Sequence, residues 1–242
     1  MEGGDTWQGD AERAQNLIEE ALSLAQEVGD KGNIIICYWK FASVAFFLED
    51  YHRAGQFAAE AYRLAQESNI KSYIGQSLIR LGYVDWAQSN ISRFAERMEE
   101  ALVIAKQINN SWLNANTVYF LGESSRLKRD FAQAKNRFTE ALAIFPEEDI
   151  KYGYYICLES FGKLAIDQGQ VEQGAYLLGA RETLRADVFK EDFYPFMVRE
   201  RQRYIAKARE QLGEEAFNKA WAEGAAMSTE EAIKYALEES ND

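Results

Sequence analysis

The chain repeats itself every 40 residues, and that period limits what it can fold into. Phe41-Ala42, Leu81-Gly82, Leu121-Gly122 and Phe161-Gly162 form one column at this spacing. Ala21, Ala61, Ala101 and Ala141 form a second, broken only at Arg181. A third holds Asp50, Asn90, Asp130 and Gln170, each followed by an apolar residue, Tyr51, Ile91, Phe131 and Val171. A unit of this length is one supersecondary element that cannot bury its apolar face alone, so such units stack and share a core.

Within the first complete unit, apolar spacing predicts one helix near 33–49 and a second near 51–68. In the second, Phe57, Ala58, Ala61, Leu64 and Ala65 make a stripe that neighbouring helices must cover. Small side chains at Ala54 and Ala61 let a partner helix approach closely. Asp50, Asn90 and Asp130 are expected N-caps, because a short side-chain oxygen can accept from an unpaired amide of the next turn. Two prolines in 242 residues leave the helical ladders uninterrupted, and 47% hydrophobic residues suffice for a continuous core.

Ala42, Ala54 and Ala61, with the pair Leu81-Gly82, resemble the spacing of the tetratricopeptide repeat, and the resemblance covers residues 10–190. The unit is longer than that family's by about six residues, added after the second helix, where Pro146 alone keeps the terminating proline. Repeats of this length occur in the superhelical sensor domains of large bacterial ATP-dependent transcription activators and in peptide-binding regulators of the quorum-sensing type. The stretch Leu212-Gly213-Glu214-Glu215-Ala216-Phe217, continuing through Trp221, Gly224, Ser228 and Glu231 to Leu237, resembles the terminal segment of bacterial multidomain regulators. Those regulators couple a signalling ATPase to a tetratricopeptide sensor. The resemblance implies an all-α, right-handed superhelical solenoid of antiparallel helix pairs with a C-terminal helical cap. It also implies a sensor that binds a protein or peptide in its concave groove, with a nucleotide-binding domain upstream in the parent protein. A stand-alone adaptor, or a peptide receptor of the quorum-sensing type, is the alternative.

The register divides the chain into residues 1–9, a leader or the remnant of a truncated repeat, residues 10–190, a half repeat plus four repeats, and residues 191–242, the cap. Residues 10–27 match only the second helix of a unit, so the stripe Leu17, Ile18, Ala21, Leu22 and Leu24 lacks part of its cover, and the parent protein is expected to continue toward its N-terminus. In the cap, Phe193-Tyr194-Pro195-Phe196 predicts a break before a helix near 197–212 that ends at Gly213. A helix over Glu214–Glu223 ends at Gly224, and a last one runs to Glu239 behind a capping box of Ser228 and Glu231. Phe217, Trp221, Ile233 and Leu237 are expected to cover the last repeat.

Several chemistries lack the residues they need. A formal charge of −12 repels a phosphate backbone, so direct nucleic-acid contact is not expected. No apolar run approaches the ~20 residues of a membrane span. Cys37 and Cys157 share a column with Ser77 and Thr117, which describes a small core slot in a protein of the reducing cytoplasm, not a disulfide or metal site. His52 is the sole histidine and has no second ligand beside it. Glu99-Glu100 and Glu147-Glu148-Asp149 lack the spacing of a calcium loop, and no Gly-x4-Gly-Lys-Ser/Thr phosphate loop occurs. Arg199, Arg201, Arg203, Lys207 and Arg209 make a basic series that Glu200 and Glu210 interrupt and helical rotation spreads around the axis. No enzyme activity, cofactor or metal is therefore expected.

In tetratricopeptide arrays the groove is lined by the first helix of each pair. Carried column by column onto this chain, the candidate ligand groove comprises Trp39, Ser43, Tyr83, Trp86, Asn116, Tyr119, Glu123, Arg126, Glu159 and Lys163. In this register the aromatic residues face outward as anchors, Asn116 pairs with a ligand's backbone amide, and Arg126 and Lys163 receive an acidic group.

Overall fold

The computed structural model describes residues 4–147, 150–188 and 194–238, with the side chains of 4–9 and 185–188 excepted. Expectations placed on Met1 to Gly3, Glu148, Asp149, Phe193 and Glu239 lie outside the described residues. The fold is all-α, and its helices pack as sequential antiparallel pairs in the tetratricopeptide-like manner. They are α1 (Gly4–Glu27), α2 (Lys31–Phe47), α3 (Tyr51–Glu67), α4 (Lys71–Ala87), α5 (Ile91–Gln107) and α6 (Ser111–Leu127). There follow α7 (Phe131–Ile144), α8 (Ile150–Asp167), α9 (Val171–Val188), α10 (Pro195–Leu212), α11 (Glu214–Ala225) and α12 (Thr229–Leu237). The chain forms two compact units, Met1–Leu113 and Asn114–Asp242.

The turns run at half the sequence period. Gly29, Glu49, Asn69, Ser89, Asn109, Arg129 and Gly169 all adopt positive φ, between 51° and 86°. At each, two amides close the preceding helix; Ser89 N donates to Trp86 O at 2.9 Å and Asn90 N to Asp85 O at 2.8 Å. This Schellman closure satisfies carbonyls that a helix end would otherwise leave unpaired. The next helix starts at once. Asp30, Asp50 and Asp130 accept from the amides of Asn33, Arg53 and Gln133 at 3.0, 3.0 and 3.1 Å. Asn90 occupies the cap position without a side-chain cap bond.

In the first unit each helix packs on the next, α1 on α2 through to α4 on α5. Ala54, Ala58, Ala61 and Ala65 form the fully buried stripe of α3. The small-residue column has a steric cause. A Cβ on Gly82 would come within 2.5 Å of Met98 Cε; the same crowding acts outside the column at Gly75, where a Cβ would come within 2.6 Å of Leu113 Cδ2. Where the facing residue is only Ala58, the column tolerates Ala42, and the two pack with Leu81. On α1, Ala21 is exposed although Ala61 and Ala101 in its column are buried, and Leu17 and Leu24 are 58% and 64% exposed.

The second unit repeats this logic, since a Cβ on Gly122 would meet Phe138 at 2.5 Å and one on Gly162 would meet Leu178 at 2.9 Å. Beyond α9 the order changes. Helix α11, not α10, lies tightly along α9, because Gly224 faces the backbone oxygen of Tyr176 and Gly179 that of Trp221. Gly224 therefore lies in the last turn of α11, which runs one residue beyond it to Ala225, a small correction to the sequence expectation. Phe217 is buried with Ile166, Ala175, Leu178, Ala208 and Ala220, and Trp221 packs at the edge of that cluster. The capping box at Ser228 and Glu231 forms with both bonds, while Leu237 stays 37% exposed. Among the described residues no helix is long and apolar enough to cross a membrane.

Candidate functional site

The charged candidate residues converge in the second unit. Glu123 and Arg126 lie one turn apart on α6, as do Glu159 and Lys163 on α8, with Asp167 one turn further on. Helix α10 crosses this face and adds Glu200, Arg201 and Tyr204, and α9 adds Arg181. Arg126 donates to Glu123 at 2.7 and 3.0 Å, to Asp167 at 3.1 Å, to Glu200 at 2.8 Å and to the Tyr204 hydroxyl at 2.6 Å. Lys163 Nζ lies 3.0 Å from Glu200, 3.5 Å from Glu159 and 3.7 Å from Glu123. Glu159 is also 3.0 Å from Arg181 and 3.2 Å from Arg201. Tyr204 in turn donates to Asp167 at 2.8 Å.

Among the described residues, five cations, Arg126, Lys163, Arg181, Arg201 and the more exposed Lys207, thus face five carboxylates, Glu123, Glu159, Asp167, Glu200 and the more exposed Glu182. The match matters because Arg126, Lys163 and Glu123 are almost wholly buried, where an unpaired charge would cost several kcal/mol. Burial alone would lower the Lys163 pKa, but the carboxylates of Glu123, Glu200 and Glu159 hold it above lysine's ordinary range. Arg126 is likewise kept charged, by Glu123 and Glu200 against its own desolvation. Burial pushes the Glu200 carboxyl up, and the stronger pull of Lys163 and Arg126 brings it down to about 2. Burial and the nearby Glu123 push the Cys157 thiol well up, which keeps it protonated and unreactive.

The uncharged candidates are placed differently. Trp39, Trp86 and Tyr119 were expected to face outward, and all three are buried. Trp39 Nε1 donates to Ser77 Oγ at 2.8 Å, its ring meets Tyr73 edge-on at 5.1 Å, and the Arg80 guanidinium covers it at 4.4 Å. Trp86 stacks on Phe94 at 5.4 Å. The large apolar area of these rings is worth more against a neighbouring helix than in water, which is the physical reason for the correction. Ser43 and Tyr83 remain half-buried; Ser43 Oγ donates to the Trp39 carbonyl at 3.0 Å, and the Tyr83 ring lies 6.2 Å from Phe46. Asn116 is buried, with Tyr152 Oη 3.4 Å from its Oδ1. Tyr119 Oη lies 3.1 Å from Ser160 Oγ, which itself donates to Glu123.

Sequence reasoning missed the contribution of α10. The basic series divides, with Arg201 turned into the cluster while Arg199, Arg203 and Arg209 stay exposed, and Arg209 lies over the Phe217 ring at 4.8 Å. One signal was present: Arg181 replaces alanine in a column whose other members at 61, 101 and 141 are fully buried, so its charge required a partner. Among the described residues no cluster of His, Cys, Asp and Glu has the makings of a metal site. A cavity of about 300 Å³ in the same unit is lined by Lys135, Phe161, Leu164, Gln168, Leu177 and Ala236, among others.

No protein-family model matches the chain. Over 110 residues, 46% of the chain, it is 38% identical to the putative HTH-type transcriptional regulator Rv0890c of Mycobacterium tuberculosis, and equally to Mb0914c of Mycobacterium bovis. That match spans only 12% of the length of each regulator. Among solved structures, BtubC from P. vanneervenii superposes with a TM-score of 0.60 at 19% identity, covering 96% of this chain and 90% of its own. A Rap protein in complex with competence and sporulation factor gives a TM-score of 0.61 at 16% identity, covering 94% and 71%. The apo form of RapI gives 0.52 at 15% identity, covering 90% and 89%. The structural likenesses establish the fold, and the sequence likeness relates it to one stretch of much larger proteins: the chain is a tetratricopeptide-like helical repeat region similar to part of mycobacterial HTH-type transcriptional regulators.

Proposed function

We propose that this chain is a non-catalytic region that binds a protein or peptide and serves as the sensor of a larger cytoplasmic transcription regulator. Contact with DNA falls to another part of the parent protein, in keeping with the −12 charge of this one. A signalling ATPase upstream is the matching device for relaying the binding event. The observation that carries the reading is the seating of α10. First helices of successive pairs, α6 and α8, hold a third helix through hydrogen-bonded ion pairs, the kind of contact by which such a surface would recognise a polypeptide. In the first unit the equivalent positions Ser43 and Tyr83 are half-buried and offer a hydroxyl and a phenol.

A displayed peptide library selected on the chain tests this. Selected peptides should bind saturably, and Ser43→Glu combined with Tyr83→Ala should weaken those that contact the first unit about tenfold or more, with helicity retained. Failure to select any saturable binder overturns the reading. Binders indifferent to both the first-unit pair and the α6–α8 cluster overturn the assignment of the surface.

A further inference from the structure

Helix α10 is bound to its unit unlike any repeat helix. Of its 18 residues only Arg201 and Ala208 are buried, whereas α8 buries twelve of 18. The close backbone approach that seals the stack belongs to α9 and α11 through Gly179 and Gly224, so the repeats are closed without α10. Around Ala208, the C-terminal half of α10 rests on apolar neighbours with Ile205 and Leu212. Further toward its N-terminus the helix is held by Glu200 between Arg126 and Lys163, by Arg201 on Glu159, and by Tyr204 on Arg126 and Asp167.

We propose that α10 is an internal occupant of a polypeptide-binding face, and that the Arg126–Lys163 face of α6 and α8 takes a helical ligand presenting a carboxylate, a cation one residue later and a tyrosine four residues later. This deepens the polypeptide-binding reading and rests on it. The ligand class follows from charge balance. Without α10 the face holds Arg126, Lys163 and Arg181 against Glu123, Glu159, Asp167 and the half-buried Glu182, one negative charge in excess. Helix α10 adds Glu200 and Arg201 to its buried part and, at the more exposed edge, Lys207 at 3.9 Å from Asp167, which brings the whole to balance. A polyanion would leave Glu159 without its third cation and bring excess negative charge into a desolvated site, while a polycation would leave Arg126 and Lys163 short of a carboxylate. Only a ligand carrying both charges at this spacing replaces α10 without burying an unpaired ion. Buried ion pairs contribute little net stability while fixing partner geometry, so a helix held in this way exchanges for a matched competitor more readily than one held by apolar area.

The test uses the full chain and a labelled synthetic peptide of residues 195–212. Wild type should bind the peptide weakly, because its own α10 competes. Glu200→Gln with Tyr204→Phe in the chain should tighten binding about tenfold or more by releasing that competitor. Either Glu200→Gln or Arg201→Gln in the peptide should cancel the gain, and a polyglutamate of equal length should not compete. Equal, weak binding by wild type and variant overturns the proposal, as does effective competition by polyglutamate. Should the variant fail to fold, hydrogen exchange of wild type decides: α10 amides should exchange about a hundredfold faster than those of α8, and exchange in step with α8 overturns the proposal. Loss of the α10 result with retained peptide capture at Ser43 and Tyr83 rejects the internal occupant alone, whereas loss of both rejects polypeptide binding itself.

Discussion

Glu123→Gln removes one charge from the second unit's cluster and almost no volume. Glu123 is fully buried and, among the described residues, is the one carboxylate that accepts twice from Arg126 while also facing Lys163 and receiving Ser160. The variant leaves five cations against four carboxylates, Glu159, Asp167, Glu182 and Glu200. Breaking one side of a buried ion cluster costs about 3–5 kcal/mol. At about 2–4 °C per kcal/mol for a chain of this size, the melting temperature should fall by roughly 6–20 °C. Glu200→Gln, on the more exposed α10 side, should cost less, about 1.5–3 kcal/mol, the value of a hydrogen bond to a charged group. Urea unfolding followed by far-UV circular dichroism measures both. Adding Lys163→Met to Glu123→Gln restores the balance of charge, so the double variant should be more stable than the sum of the singles by about 0.5–3 kcal/mol. A cost for Glu123→Gln below about 1 kcal/mol, the range of a solvated surface pair, would refute the picture of a dry, matched cluster.

Three further outcomes follow from the same geometry. Gly224→Ala should loosen α11 by about 1–3 kcal/mol, because its Cβ would come within 2.0 Å of the Tyr176 carbonyl oxygen; faster hydrogen exchange confined to α11 and its neighbours is the readout. Ser89→Gly should stabilise the first unit by about 0.5–1 kcal/mol, since Ser89 holds φ at 63° and glycine removes that strain, as thermal unfolding would register. On acidification, the Glu200 carboxyl is held at about 2 in the fold against an ordinary 4.5, a depressed value, so the stability it lends is complete above 4.5 and is lost as the pH falls toward 2. Exchange of α10 amides relative to α8 should therefore be flat from about pH 7 to 5 and rise by about pH 3.

The repeat was legible because stacking imposes the same steric demand at each step. Gly82, Gly122 and Gly162 announce themselves through the bulk of Met98, Phe138 and Leu178 opposite them, and Asp50 and Asp130 cap the helices their positions foretold. The left-handed turn residues were not legible as such, because Glu49, Ser89 and Arg129 have no preference for positive φ; the tertiary spacing of the helices imposes it. The charged candidates Glu123, Arg126, Glu159 and Lys163 were found by column, and they meet in one place. The aromatic ones were misjudged in exposure, because a column fixes the side of a helix but not whether Arg80 or Phe94 will close over it. The partner helix escaped notice because Glu200 and Tyr204 lie outside the repeat register, and only folding brings them onto residues 37 or more positions earlier.

The most direct test of the central claim, that α10 completes a closed ion cluster around Lys163, is the ¹⁵N NMR signal of the Lys163 ammonium at neutral pH. Enclosed by Glu123, Glu159 and Glu200, its protons should exchange slowly enough to give a resolved resonance that disappears in Lys163→Met and shifts in Glu200→Gln. A Lys163 ammonium that exchanges as fast as those of exposed lysines such as Lys31 or Lys106, and is indifferent to Glu200→Gln, would contradict it.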